Sequence, residues 1–214
     1  MRFIFLGLFI IFVGIHLYAS AKQDKPLRNR TKPFLLLSLL GFYLFSAEPV
    51  VAVVVLALLF SWLGDVLLIP KGNKWFTAGG IAFMISHAFF IAAYGREIEF
   101  DRIETGWILL LSAFFITVVA ILFSRLKPHL PEKLFYPMAF YLLLNGAMNC
   151  FALFRLISDP TPRTALTAVG AILFFISDCS LFFVRFHKES RLKTHFPVML
   201  TYSLGELLIV LGLL

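Results

Sequence analysis

The amino-acid sequence reads as an all-α, polytopic transmembrane bundle of about eight helices, on three observations. Of its 214 residues, 60% are hydrophobic and only 14% charged, whereas soluble domains sit near 45–50% and about 25%. The mean hydropathy is +0.91. The apolar runs last roughly 15–23 residues, close to the ~20 that a membrane helix needs, and lack the alternation of a barrel strand. Lipid offers backbone groups no hydrogen-bond partners, so a spanning chain must be helical or a closed barrel. These runs select helices. At that length the chain holds about eight spans with short loops, one integral membrane domain over residues 1–214 and no extramembrane domain.

The first span, about 2–20, could pass for a signal peptide. Gly14, His16 and Tyr18 run into Lys22, Gln23 and Asp24 rather than a small-residue cleavage site, so it reads as a retained helix. The second, 33–47, opens after Lys32-Pro33 and is the shortest. It would cover only about 22 Å at 1.5 Å per residue and so needs a thinned bilayer or shielding by neighbours. Glu48-Pro49 and Ile69-Pro70 bracket a third at 50–69, and 76–95 is the fourth. A fifth, 106–124, stops before Lys127-Pro128. The sixth, 134–157, meets Asp159-Pro160 and Thr161-Pro162, which mark a loop. The seventh and eighth are 165–185 and 195–214. Cys150 and Cys179 fall within apolar runs without metal or disulfide spacing and read as small packed side chains.

A net charge of +7 invites the thought of nucleic acid, but its distribution points elsewhere. The first, third, fifth and seventh loops carry five, two, three and four Lys and Arg residues, fourteen of the 19. That asymmetry is what the positive-inside rule predicts for eight spans, with both termini outside the cytoplasm, in a cell (inner) membrane. The basic residues are a topology signal and a surface for lipid phosphate, and nucleic acid is not a partner. Nothing in the sequence sets the oligomeric state.

The third and seventh spans share a pattern, bulky apolar residues ending in Gly64-Asp65 and in Ser177-Asp178. His87 and Glu206 each lie eleven residues after Phe76 and His195 in the spans that follow. Two parallel four-helix repeats would explain this, and so would coincidence over so short a match. In either case both aspartates approach the cytoplasmic ends of their helices.

Carboxyl groups inside hydrocarbon cost at least ~2.5–3.5 kcal/mol, so they face the bundle interior and mark function by default. Asp65, Asp178 and Glu206 are three such groups in one small bundle, and His87 adds a fourth ionisable side chain. At 1.5 Å per residue Asp65 lies roughly 6 Å in, Asp178 roughly 10 Å, and His87 and Glu206 roughly 16 Å. The pattern describes a cleft open to the cytoplasm, its mouth ringed by Lys71, Lys74, Arg185, Lys188, Arg191 and Lys193. Tyr141, Asn145 and Asn149 form one polar stripe on the sixth span. Ser61 sits one turn before Asp65 and Tyr202 one turn before Glu206, while His16 reads as a structural histidine.

Gly64-Asp65-Val66-Leu67-Leu68, Gly80-x-x-Phe83-x-x-x-His87, Tyr141-x-x-x-Asn145-x-x-Met148, Ser177-Asp178-x-x-Leu181 and Tyr202-x-x-Gly205-Glu206 together resemble the lysoplasmalogenase (YhhN-type) family in order and spacing. The first two spans resemble it in character only, and position 206 has Glu where the family pattern more often has Gln. The resemblance implies hydrolysis of the vinyl ether bond of a lysophospholipid, releasing a fatty aldehyde and a glycerophospho-ethanolamine or -choline. It maps the catalytic pair onto Asp65 and Asp178. His87, Tyr141, Asn145, Tyr202, Glu206, Lys71, Lys74 and Arg185 are then the expected substrate-binding residues, with no metal and no cofactor.

The residues suit that chemistry independently. Protonating the β-carbon of a vinyl ether makes an oxocarbenium ion that water captures, which calls for one carboxylic acid and one carboxylate. Two carboxyl groups sharing a low-dielectric cleft ionise unequally, as in other two-carboxylate hydrolases. The sequence does not say which is the acid. A proton-coupled or small-solute transporter is the rival reading, since buried Asp, His and Glu also make proton relays. A zinc hydrolase would need about three convergent ligands. His16, His87 and His195 are expected at unlike depths, and no His-x-x-x-His occurs.

Overall fold

The computed structural model describes residues 1–187 and 194–214. Among them are eight α-helices: α1 (Arg2–Ala21), α2 (Lys25–Leu44), α3 (Ala52–Leu67), α4 (Asn73–Gly95), α5 (Thr105–Leu126), α6 (Phe135–Ser158), α7 (Pro162–Phe186) and α8 (Phe196–Gly212). No strand occurs among the described residues. Five helices, α1, α4, α5, α6 and α7, are long and apolar enough to cross a membrane by length and composition. The protein is a multi-pass membrane bundle.

Several of the expected boundaries move, two of them for a clear local reason. The second helix begins at Lys25 rather than at residue 33. Asp24 caps it by accepting a hydrogen bond from the Leu27 amide, and Pro26 sits in its first turn, where a missing N–H costs nothing. Pro33 therefore lies inside the helix instead of opening it. Its carbonyl accepts a 2.9 Å hydrogen bond from Trp62 Nε1 on α3. The seventh helix starts three residues early, at Pro162, because Thr161 and Thr164 form a capping box around it. The third and eighth are shorter than expected, 16 and 17 residues.

Consecutive helices pack as hairpins, most extensively α1 with α2, α3 with α4, and α7 with α8. The α7–α8 pair crosses backbone to backbone. A Cβ at Gly170 would stand 2.7 Å from the Gly205 carbonyl oxygen, and one at Gly205 would stand 2.9 Å from that of Gly170. Helices α4, α6, α7 and α8 carry most of the buried residues, whereas α5 buries only Phe115, Val119 and Leu126 and presents its other faces to lipid. Cys150 and Cys179 are buried free thiols, consistent with packing roles.

One end of the bundle is tied by Arg155, a buried cation in the last turn of α6. Its Nε donates to Glu97 Oε2 at 2.8 Å and its Nη1 to Thr167 Oγ1 at 2.7 Å. Both terminal nitrogens reach the Gly212 carbonyl at 3.1 Å, so one guanidinium joins α6, α7, the end of α8 and the segment after α4.

Candidate active site

At the other end a cavity of about 270 Å³ opens between α1, α2, α3, α4, α7 and α8. Asp65 and Asp178 both line it, although each is nearly inaccessible, at 2% and 5% exposure. The short α3 and the long α7 thus bring their acids to one cleft. Asp65 is two residues from the end of α3, where Gly64 lets the Phe83 ring of α4 lie against the backbone.

The two carboxyl groups have different company. Asp65 Oδ1 pairs with Lys32 Nζ at 3.1 Å, and Oδ2 accepts a hydrogen bond from Tyr202 Oη at 2.9 Å. Asp178 Oδ2 accepts from Tyr141 Oη at 2.5 Å and from Asn145 Nδ2 at 2.8 Å. His87 Nε2 stands 3.8 Å from the same oxygen, with its ring edge-on to Tyr141 and Phe174. Neither ring nitrogen of His87 has a hydrogen-bond partner among the described residues.

Of the expected binding residues, Arg185 and Tyr202 line the cavity. Tyr141 borders a second, apolar groove that also ends at Asp178. His87, Asn145 and Glu206 are fully buried and line neither space. They stand behind the wall, Asn145 touching the cavity only through Asp178, and both Glu206 oxygens lack hydrogen-bond partners among the described residues. Lys71 and Lys74 are exposed and outside both linings, because α4 begins at Asn73 and turns them to the surface. Lys188, Arg191 and Lys193 lie outside the described residues.

The cavity's cations come instead from α2. Arg28, Asn29 and Lys32 recur at i, i+1 and i+4 on the stretch of α2 that precedes the expected span, and all three line the space. An Asp before Lys-Pro was the available signal for that helix start. His16 and His195 join them, against the expectation of unlike depths. His16 is within two turns of the end of α1 and His195 caps the start of α8, and both ends meet here. His16 Nδ1 bonds Thr31 Oγ1 at 2.8 Å, whose own hydrogen goes to the carbonyls of Leu27 and Arg28. Burial first, then the positive charges of Arg28, Lys32 and Lys25, push the His195 imidazole down to about 4. Arg185, over the Phe76 ring at 4.1 Å, completes a mouth rich in positive charge and suited to an anion. Among the described residues no three His, Cys, Asp or Glu side chains are grouped as metal ligands.

This arrangement can hold an anionic head at its rim and present two unlike carboxyl groups beneath it. The chain is similar to human lysoplasmalogenase TMEM86A, 29% identical over 189 residues that span 84% of this chain and 71% of the human protein. The bovine protein of the same name is 28% identical over the same shares. No solved structure matches the chain. Residues 27–213, from the first turn of α2 to the end of α8, match the YhhN family, to which this chain therefore belongs.

Proposed function

We propose that the protein hydrolyses the vinyl ether bond of lysoplasmalogens, releasing a fatty aldehyde and the glycerophospho-ethanolamine or -choline. The carrying observation is that Asp65 and Asp178 border one cavity with unlike partners, a cation for the first and only neutral hydrogen-bond donors for the second. The names of the human and bovine relatives support the same substrate class.

In this reading the lysolipid phosphate sits among Arg28, Lys32 and Arg185, and the vinyl ether, just below the glycerol, falls at the depth of the aspartates. Asp178 supplies the proton. Both of its hydrogen bonds end on Oδ2, which leaves Oδ1 to carry the hydrogen to the β-carbon of the double bond. The C–H bond forms as the π pair leaves the double bond, and the cation is shared between the α-carbon and the ether oxygen. Asp65, kept ionised beside Lys32, steadies that cation and takes a proton from the attacking water. The hemiacetal then collapses: its hydroxyl proton passes to Asp178, the C–O bond to glycerol breaks, and the glycerol oxygen leaves with the proton that Asp65 took from water, so both acids are restored. One water is consumed. Tyr141, Asn145 and Tyr202 position the acids. The fourteen-to-five division of Lys and Arg supports an orientation with this mouth at the cytoplasm and both termini on the other side.

The test is detergent-solubilised protein with a panel of lysolipids assayed for aldehyde. Release from the vinyl ether and none from the matched ester or saturated ether is the expected result. Detergent leaves no barrier to cross, so absence of aldehyde from every vinyl ether would reject the proposal in favour of transport.

A further inference from the structure

The second space at Asp178 is unlike the first. It is a narrow groove of about 50 Å³ running between α4 and the start of α6, lined almost wholly by apolar atoms. Thr77, Gly80, Ile81 and Met84 form its α4 side, and Leu134, Pro137 and Met138 the α6 side. Ile81 is 48% exposed on the outer surface of the bundle, so the groove reaches the lipid-facing side. At its inner end Leu68, Phe76, Phe83, Asp178 and Leu181 border both this groove and the cationic cavity. Asp178 stands at the junction, while Asp65 borders the cavity alone.

We infer that this groove is the seat of the substrate's hydrocarbon chain and its lateral way in from the bilayer. The inference rests on the hydrolase reading above and adds the chain site to it. A lysolipid is a charged head joined to one long apolar tail, and the two spaces offer those two chemistries in that order, meeting at the acid that must reach the bond between them. With the head among Arg28 and Arg185, an apolar path for the tail runs past Asp178, between α4 and α6. The β-carbon lies one atom beyond the cleaved C–O bond on the tail side, so the groove delivers it to Asp178 while the ether oxygen stays on the side of Asp65. Gly80 keeps the passage open: a Cβ there would meet no atom within 4 Å, so a larger side chain enters the groove rather than the helix packing.

Gly80→Leu tests the assignment, read as kcat/KM for alkenyl chains of about four and about sixteen carbons. Each methylene excluded from an apolar seat costs roughly three- to fourfold in affinity, so the long substrate should lose about tenfold or more and the short one less than about twofold. Gly80→Ala should shift preference modestly toward shorter chains. Equal losses on both substrates, or none on either, would overturn the chain site. A second readout does not depend on turnover. A saturated ether lysolipid with a diazirine near the chain end should label peptides spanning 77–84 and 134–138, competed by excess unlabelled lipid. Labelling confined to the outer faces of α1 and α5 would overturn the assignment even if hydrolysis stands. Competed labelling of the groove with no aldehyde from wild-type protein would retain the chain site and remove only the chemistry.

Discussion

Lys32 Nζ lies 3.1 Å from Asp65 Oδ1, whereas no cationic nitrogen of Lys or Arg pairs with Asp178 among the described residues. Both partners are largely withdrawn from water, the Lys32 side chain at 16% exposure and that of Asp65 at 3%. The pair is therefore little screened, and it gives Asp65 a cation that Asp178 lacks.

Lys32→Met should lower kcat by at least about tenfold, a barrier increase of ~1.4 kcal/mol. Lys32→Arg, which keeps the charge, should retain more activity than Lys32→Met. Equal activity in the methionine variant and wild type, measured as aldehyde release by protein of unchanged melting temperature, would show that the pair is structural only.

Removing either acid has a larger expected effect. Asp65→Asn and Asp178→Asn should each cost about 10²–10⁴ in kcat, the usual range for a proton-transfer group. Because the two act on one reaction, the double variant should be little worse than the worse single one. Near-wild-type turnover in both single variants would remove the mechanism.

Gly170 and Gly205 set the distance between the helices that carry Asp178 and Tyr202. Gly170→Ala pushes a methyl group into the Gly205 carbonyl and the Ile209 amide, both 2.7 Å from the new carbon. Backbone cannot turn aside as a side chain does, so overpacking should cost roughly 1–3 kcal/mol. Gly14→Ala, with nothing within 4 Å of its Cβ, is the matched control and should be neutral or slightly stabilising in a thermal unfolding scan.

At the opposite end, Arg155→Met removes the shared clasp on Thr167 and Gly212. Glu97 is half exposed and contributes little, so the loss comes from the buried bonds, about 2 kcal/mol. That corresponds to roughly 4–8 °C in apparent melting temperature. Turnover per folded molecule should be unchanged, since Arg155 lies ten residues along α6 from Asn145, about 15 Å. A selective loss of turnover at wild-type stability would contradict the purely structural role.

If the orientation is as proposed, alkaline phosphatase fused after Leu214 should be active and a fluorescent protein fused there dark, when the chain is expressed in a bacterium. The reverse pattern would place the cationic mouth on the outer side.

Much of this protein is determined by composition alone. Long apolar runs have no stable form in lipid except as helices, and a buried carboxyl group is costly wherever the helices come to rest. Hence the class of fold, the number of helices and the interior placement of Asp65, Asp178, His87 and Glu206 were legible one residue at a time. What needed the tertiary structure was company. Lys32 reaches Asp65 because α2 begins eight residues earlier than its apolar run, a boundary set by the Asp24 cap and not by hydropathy. His16 and His195, 179 positions apart, share a cavity because α1 and α8 end together. Lys71 and Lys74 turn away from it, and Glu206 is sealed behind it. Hydrophobicity is a sum over a segment and can be read locally. The pairing of one charge with another depends on distance in three dimensions, and only the packed bundle supplies that.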